Sequence, residues 1–111
     1  MAKILSMYPA DMDKRSAYRL TRASAKKMIE AAGSVITPER YVLYEGTDVK
    51  SGELKTVLTL EADGEVFGTI SNTFIREFMD AANEFGGDPG PIKVITGETK
   101  NGRDYVTCEV V

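Results

Sequence analysis

Residues 71–91 read "SNTFIREFMDAANEFGGDPGP", the clearest helix in the chain. Ser71, Asn72 and Thr73 offer N-caps, and Phe74, Phe78, Ala81 or Ala82, and Phe85 recur at helical spacing as one apolar stripe. Gly86-Gly87, followed by Pro89 and Pro91, ends the helix. A single apolar stripe must be buried against another layer, so what flanks this helix decides the architecture.

Strand patterns flank it on both sides. Upstream, "LKTVLTLEADGEVFGTIS" (54–71) predicts a hairpin, because Asp63-Gly64 supplies the positive φ angles of a two-residue turn; this places Phe67 opposite Leu60, a core position. Before it, "SVITPERYVLYEG" (34–46) is rich in β-branched and aromatic residues, and Pro38 suggests an edge or a bend. "TDVKSGE" (47–53) is a loop. Downstream, "IKVITGE" (92–98) and "DYVTCEVV" (104–111) form a last hairpin around Asn101-Gly102. Three strands, a helix and two strands is the order of the OB-fold, in which the helix plugs a five-stranded barrel. The expected fold is therefore mainly β with helices, an OB-like barrel over residues 34–111 preceded by a basic helical segment, together a single domain. The competing architecture is an open five-stranded sheet with the helices on one face.

Counting outward from a two-residue Asn101-Gly102 turn pairs Lys100 with Arg103, Glu98 with Tyr105, Thr96 with Thr107 and Val94 with Glu109. The other face would hold Ile95, Val106, Cys108 and Val110 against the core. Lys100 facing Arg103 is a like-charge pair that a purely structural turn does not need. A tyrosine flanked by two cations suits a single-strand binder, with the ring stacking on a base and the cations meeting phosphates. An ordinary solvated turn with a half-buried tyrosine explains the same residue types.

The first 33 residues differ from the rest in charge. They hold seven of the 14 Lys and Arg and three of the 17 acids, a local +4, while the remaining residues carry −7, which together make the net −3. Within "DMDKRSAYRLTRASAKKMIEAAG" (11–33), Ser24 predicts the cap of a short helix with Ala25, Met28, Ile29 and Ala32 on its apolar stripe and Gly33 as its stop. Residues 13–22 are less regular and fit a helical turn, a strand or an arm. Arg19 and Arg22 lie here, and a basic face of this kind suits nucleic acid, an acidic partner or the protein's own acidic body.

Composition narrows the function classes. At 42% hydrophobic and 28% charged residues, the 111-residue chain is too apolar for disorder. No segment has the apolar length of a signal peptide core or a membrane span, so a cytoplasmic protein without a membrane partner is expected. The single cysteine, Cys108, alternates with Val106 and Val110 as a small core residue. With no histidine, the commonest general base and zinc ligand is missing; no carboxylate pair stands out, and neither an enzyme nor a cofactor is expected. Tyr41 and Tyr44 point to opposite sides of their strand, so at most one is buried; the exposed one, taken to be Tyr44, would join a binding face with Lys55.

Two stretches, "GEVFGTISNTFIREF" (64–78) and "TGETKNGRDYVTCEVV" (96–111), resemble the single-stranded DNA-binding proteins encoded by tailed bacteriophages of Gram-positive hosts. The likeness continues upstream through "YRLTRASAKKMIEAAGSVITPERYVLYEG" (18–46) and so covers most of the chain. Its landmarks are Tyr44-Glu45, Thr69-Ile70-Ser71-Asn72-Thr73-Phe74 and Lys100-Asn101-Gly102-Arg103-Asp104-Tyr105. The family pattern has Asn before Ser where this chain has it after, which leaves Asn72 only a capping role. The resemblance assigns no binding residue. It implies a protein that coats single-stranded DNA in replication or recombination, with phage or host replication and recombination proteins as further partners and self-association along the strand left open. On this expectation Tyr105 and Tyr44 stack on bases, while Lys100, Arg103, Lys55, Arg19 and Arg22 meet phosphates. The alternative is a small module that binds and inhibits a host protein.

Overall fold

A computed structural model of the protein describes residues 3–22, 25–47, 51–98, 100–102 and 104–111. Among the described residues, eight strands lie in two sheets with two α-helices, and no closed barrel forms. In chain order the elements are β1 (Lys3–Tyr8), α1 (Lys14–Arg22), β2 (Lys26–Lys27), β3 (Val35–Ile36), β4 (Arg40–Thr47), β5 (Leu54–Ala62), β6 (Glu65–Thr69), α2 (Asn72–Glu84), β7 (Ile92–Glu98) and β8 (Asp104–Val110). One sheet has the order β1-β4-β5-β6-β2, the other β3-β7-β8.

The central hairpin forms as its turn chemistry dictates. Asp63 and Gly64 take φ of 52° and 77°, and Leu60 pairs with Phe67, which is buried. Pro38 separates β3 from β4, and the chain changes sheets there: Val35 and Ile36 bond to β7, whereas Arg40–Thr47 bonds to β5 and β1. Proline has no N–H to give a ladder, which makes this the natural place for the exchange.

α2 begins at Ser71, whose hydroxyl accepts from the Phe74 N–H at 3.3 Å and donates to the Val106 carbonyl at 2.9 Å. One side chain thereby caps the helix and ties it to β8. Phe74, Ile75, Phe78 and Ala82 are buried, but Phe85 leaves the expected stripe. It stands at the C-cap, past the last helical turn, and is 55% exposed. Tyr41 links the helix to the five-stranded sheet. Its ring meets Phe78 edge-on at 4.9 Å and stacks on Tyr8 at 5.9 Å, and its hydroxyl donates to the Gly87 carbonyl at 2.8 Å.

The N-terminal third departs from expectation. The helix expected from Ser24 is absent: Lys26–Lys27 pairs in parallel with β6, and only a 3-10 turn, Met28–Ala31, follows, burying Met28 and Ala31; Ser24 itself lies outside the described residues. The α-helix is instead the stretch that had no clear period, Lys14–Arg22, and the segment before it is an edge strand on β4. Asp13 starts α1, accepting from the side chain and backbone N–H of Ser16, and these bonds hold its carboxyl below the usual value.

The last hairpin is shifted by one residue from the expected register. Gly97 pairs with Tyr105, Thr96 with Val106 and Val94 with Cys108; the ladder ends at Glu98 and Asp104, with five residues between them where a two-residue turn was expected. Burial decides between the registers. Ile92 and Val94 are fully buried beside Val106 and Cys108, while Ile95, expected inside, is only half-buried on the outer face and Val110 is 48% exposed.

Burial pushes the Cys108 thiol up to about 12, with the charge of Glu77 a smaller cause. Iodoacetamide at about pH 8 should leave the native thiol unmodified and alkylate it in urea-unfolded protein. The unfolded thiol ionises near 9.0 and the folded one near 12, so the unfolded state binds fewer protons between them. Stability is therefore full below the lower value and falls as pH rises through that window, a fall that denaturant titration should find reduced in Cys108→Ala.

Candidate nucleic-acid interface

The five-stranded sheet is apolar on both faces. Tyr41, Leu58, Leu60 and Phe67 face α2 and the second sheet, whereas Val42, Met7 and Val66 face the other way and meet Met12, Ala17 and Leu20. Ala17 and Leu20 are one turn apart, so α1 lays a narrow apolar edge on the sheet and turns the rest of its circumference to solvent.

That outward surface consists of Lys14, Arg15, Tyr18, Arg19 and Arg22, all exposed. Tyr18 is 60% exposed, and the Arg22 guanidinium lies 5.5 Å from its ring centroid. Arg15 and Arg19 are four residues apart, and like charges at that spacing cost a helix a few tenths of a kcal/mol. Among the described residues none of these four cations forms an ion pair, although the field of Arg19 contributes to the lowered Asp13 carboxyl.

Several cations elsewhere have acids beside them. Lys26 bonds Glu65 at 2.8 Å, and Lys3, Arg40 and Lys93 stand opposite Glu45, Glu61 and Glu109 on neighbouring strands. The concentration of unneutralised charge on α1 is thus a local property of one helix.

The expected site residues fall into two groups. Arg19 and Arg22 lie on α1, and Lys55, opposite Gly46, projects from the same side of the sheet that α1 covers. Tyr44 is on that side too, but half-buried beneath the helix, with its hydroxyl donating to the Thr21 carbonyl over 3.4 Å. Its ring supports α1. Tyr105 and Lys100 belong to the other sheet's hairpin, and Arg103 lies outside the described residues. Lys100 is exposed, and the closing pair beside it, Glu98 and Asp104, is acidic.

Tyr105 is engaged in another way. It is 37% exposed, and its ring lies across Gly97 so closely that a β-carbon there would run into the ring's outer atoms. An aromatic ring laid over a strand glycine covers backbone that the glycine leaves bare.

Tyr18, Lys14 and Arg15 were not among the expected site residues. The signal for them is the spacing of Arg15, Tyr18, Arg19 and Arg22 at three and four residues, with Ala17 and Leu20 between them on the opposite side; it is legible only once residues 14–22 are read as a helix. Between α1 and β1 runs a groove of about 240 Å³. On the side of the sheet that holds α2, Glu77, Asp80 and Glu84 of α2 and Glu109 of β8 rim a depression of about 340 Å³ that also exposes Phe85 and Val110.

Among the described residues no helix is long and apolar enough to cross a membrane. Compared with protein-family models, curated proteins and solved structures, the chain matches none.

Gly97→Ala should displace the Tyr105 ring and lower stability by about 1 kcal/mol, the ordinary scale of a packing defect. Thermal unfolding of the Gly97→Ala/Tyr105→Ala double variant should show a loss smaller than the sum of the two single losses, because the clash needs both partners.

Proposed function

We propose that this chain is a sequence-tolerant single-stranded DNA-binding protein of the phage type, without catalysis, that coats exposed strands during replication or recombination in the host cytoplasm. The observation that carries this reading is the outward face of α1, where four cations and a 60% exposed tyrosine stand together on one short helix that contains no acid. Cations neutralise phosphates whatever the sequence, and every base has a face on which a tyrosine can stack. The resemblance of residues 18–46, 64–78 and 96–111 to phage single-strand binders supports the same role, with phage or host replication and recombination proteins as its further partners.

The architecture suits an OB-like barrel that has opened. In this reading β3 and β4 are the halves of one bent first strand, bonded to β7 and β5 respectively, and the barrel is open where β6 and β8 do not pair. The DNA-binding surface is then the helix-covered outside of the β1-containing sheet, with Lys55 extending it and the Tyr105 hairpin as an outlying contact.

A second reading, a module that binds a host protein, is favoured by the acidic depression on α2 and β8, whose exposed Phe85 and Val110 suit a partner bearing basic and apolar side chains. It would take precedence if DNA binding failed and a stable complex with a host protein were purified.

Fluorescence anisotropy with labelled oligo-dT at a series of salt concentrations tests the first reading. Binding should weaken with salt on a log-log slope of about −3, from roughly 0.7 per phosphate met by the four cations of α1. Arg15→Ala/Arg19→Ala should make that slope shallower by about 1.4. Tyr18→Ala should weaken binding about tenfold and leave the slope unchanged. Tyr105→Ala and Lys100→Ala/Arg103→Ala should each weaken binding less than the helix variants do. Undetectable binding at low salt sinks the proposal.

A further inference from the structure

The groove between β1 and α1 is an apolar concavity beside the cationic face of the helix. Met7 and Ala17 line it together with Ile4 and Tyr18, which are 44% and 60% exposed, and Lys14 and Arg22 border it at the first and last residues of α1. Those two cations are about 12 Å apart along the helix axis. Among the described residues no carboxylate lines the groove. The Thr21 hydroxyl at its wall is turned back on the helix, donating to the Tyr18 carbonyl at 2.7 Å, and the Thr21 carbonyl receives the Tyr44 hydroxyl. The wall therefore offers apolar surface and few free polar groups.

We infer that this groove takes one unstacked nucleobase of the bound strand, with the flanking phosphates held by Lys14 and Arg22. The inference rests on α1 being the single-strand face. Its volume, about 240 Å³, equals roughly eight waters at their liquid share, enough for one pyrimidine ring with its substituents. Charge complementarity selects the occupant: an apolar slot with a cation at each end and no acid fits a flat heterocycle carried on a chain of anions. The arrangement also accounts for tolerance of sequence, since a wall with few free donors and acceptors cannot read base edges.

Two probes separate this inference from the proposed function, oligo-dT and an abasic deoxyribose-phosphate oligomer of equal length. The first should shift the methyl signals of Ile4 and Met7 in NMR spectra of the intact protein, and the second should not. Ile4→Thr, an exposed edge-strand position that tolerates a smaller β-branched residue, should weaken oligo-dT binding about fivefold, leave abasic binding unchanged and keep the salt slope. Binding of oligo-dT without movement of those methyl signals, or an equal effect of Ile4→Thr on both oligomers, would overturn the groove while leaving α1 as a phosphate-binding surface. Absence of binding to either oligomer at low salt would remove both readings.

Discussion

Strand β4 places Tyr41 on one side of its sheet and Val42 on the other, and both are buried. A strand that is apolar on both faces needs a cover on each, because leaving one such side chain in water forfeits about 1.5–3 kcal/mol. α2 and the second sheet cover the Tyr41 side. For the Val42 side the chain supplies Met12, Ala17 and Leu20, and so brings α1 down onto β4. The cationic display is a by-product of this demand. Once Ala17 and Leu20 face inward, helical geometry sends Arg15, Tyr18, Arg19 and Arg22 outward, and no rotation of the helix could bury the first pair without exposing the rest.

The same geometry explains how an acidic protein of net charge −3 presents a positive face. Most of the excess acids lie after residue 33, on strands and on α2, where several stand beside a lysine or arginine across a ladder. The helix that carries the unneutralised cations is on the far side of the five-stranded sheet from the core that holds α2. Separation of sign across a sheet lets a polyanion approach one side of the molecule without meeting the repulsion of the other.

Local signals in the sequence were sufficient for some elements and not for others. The Asp63-Gly64 turn and the α2 stripe are each specified within a dozen residues, and both form where their chemistry places them, apart from Phe85 at the helix end. Asn101-Gly102 is as strong a turn signal, yet the register there is set by Ile92 and Val94 entering the core, a long-range condition that overrides a two-residue turn. β1 carries no alternation of its own and exists because β4 offers it an edge. α1 buries only Ala17 and Leu20 from its nine residues, too little for a periodicity to stand out, and its complement, Val42 with Val66, is scattered over two strands. Arg19 and Arg22 were legible as cations, but Tyr18 was hidden because the helix that aims it was not legible. Tyr44, read as the exposed member of its pair, became a support for that helix because something had to cover its side of the sheet.

Among the described residues the two sheets share no backbone ladder directly, except that the chain itself passes from β3 to β4 at Pro38. Their contact is made by side chains and by α2, and the Ser71 hydroxyl stands at the junction, accepting from the first turn of the helix while donating to β8. The cap of that helix and the seating of β8 thus share one group: the orientation of the hydroxyl that satisfies the helix end also satisfies the strand. Among the described residues this one oxygen joins a helix end to a strand of the second sheet that no backbone ladder ties to the first.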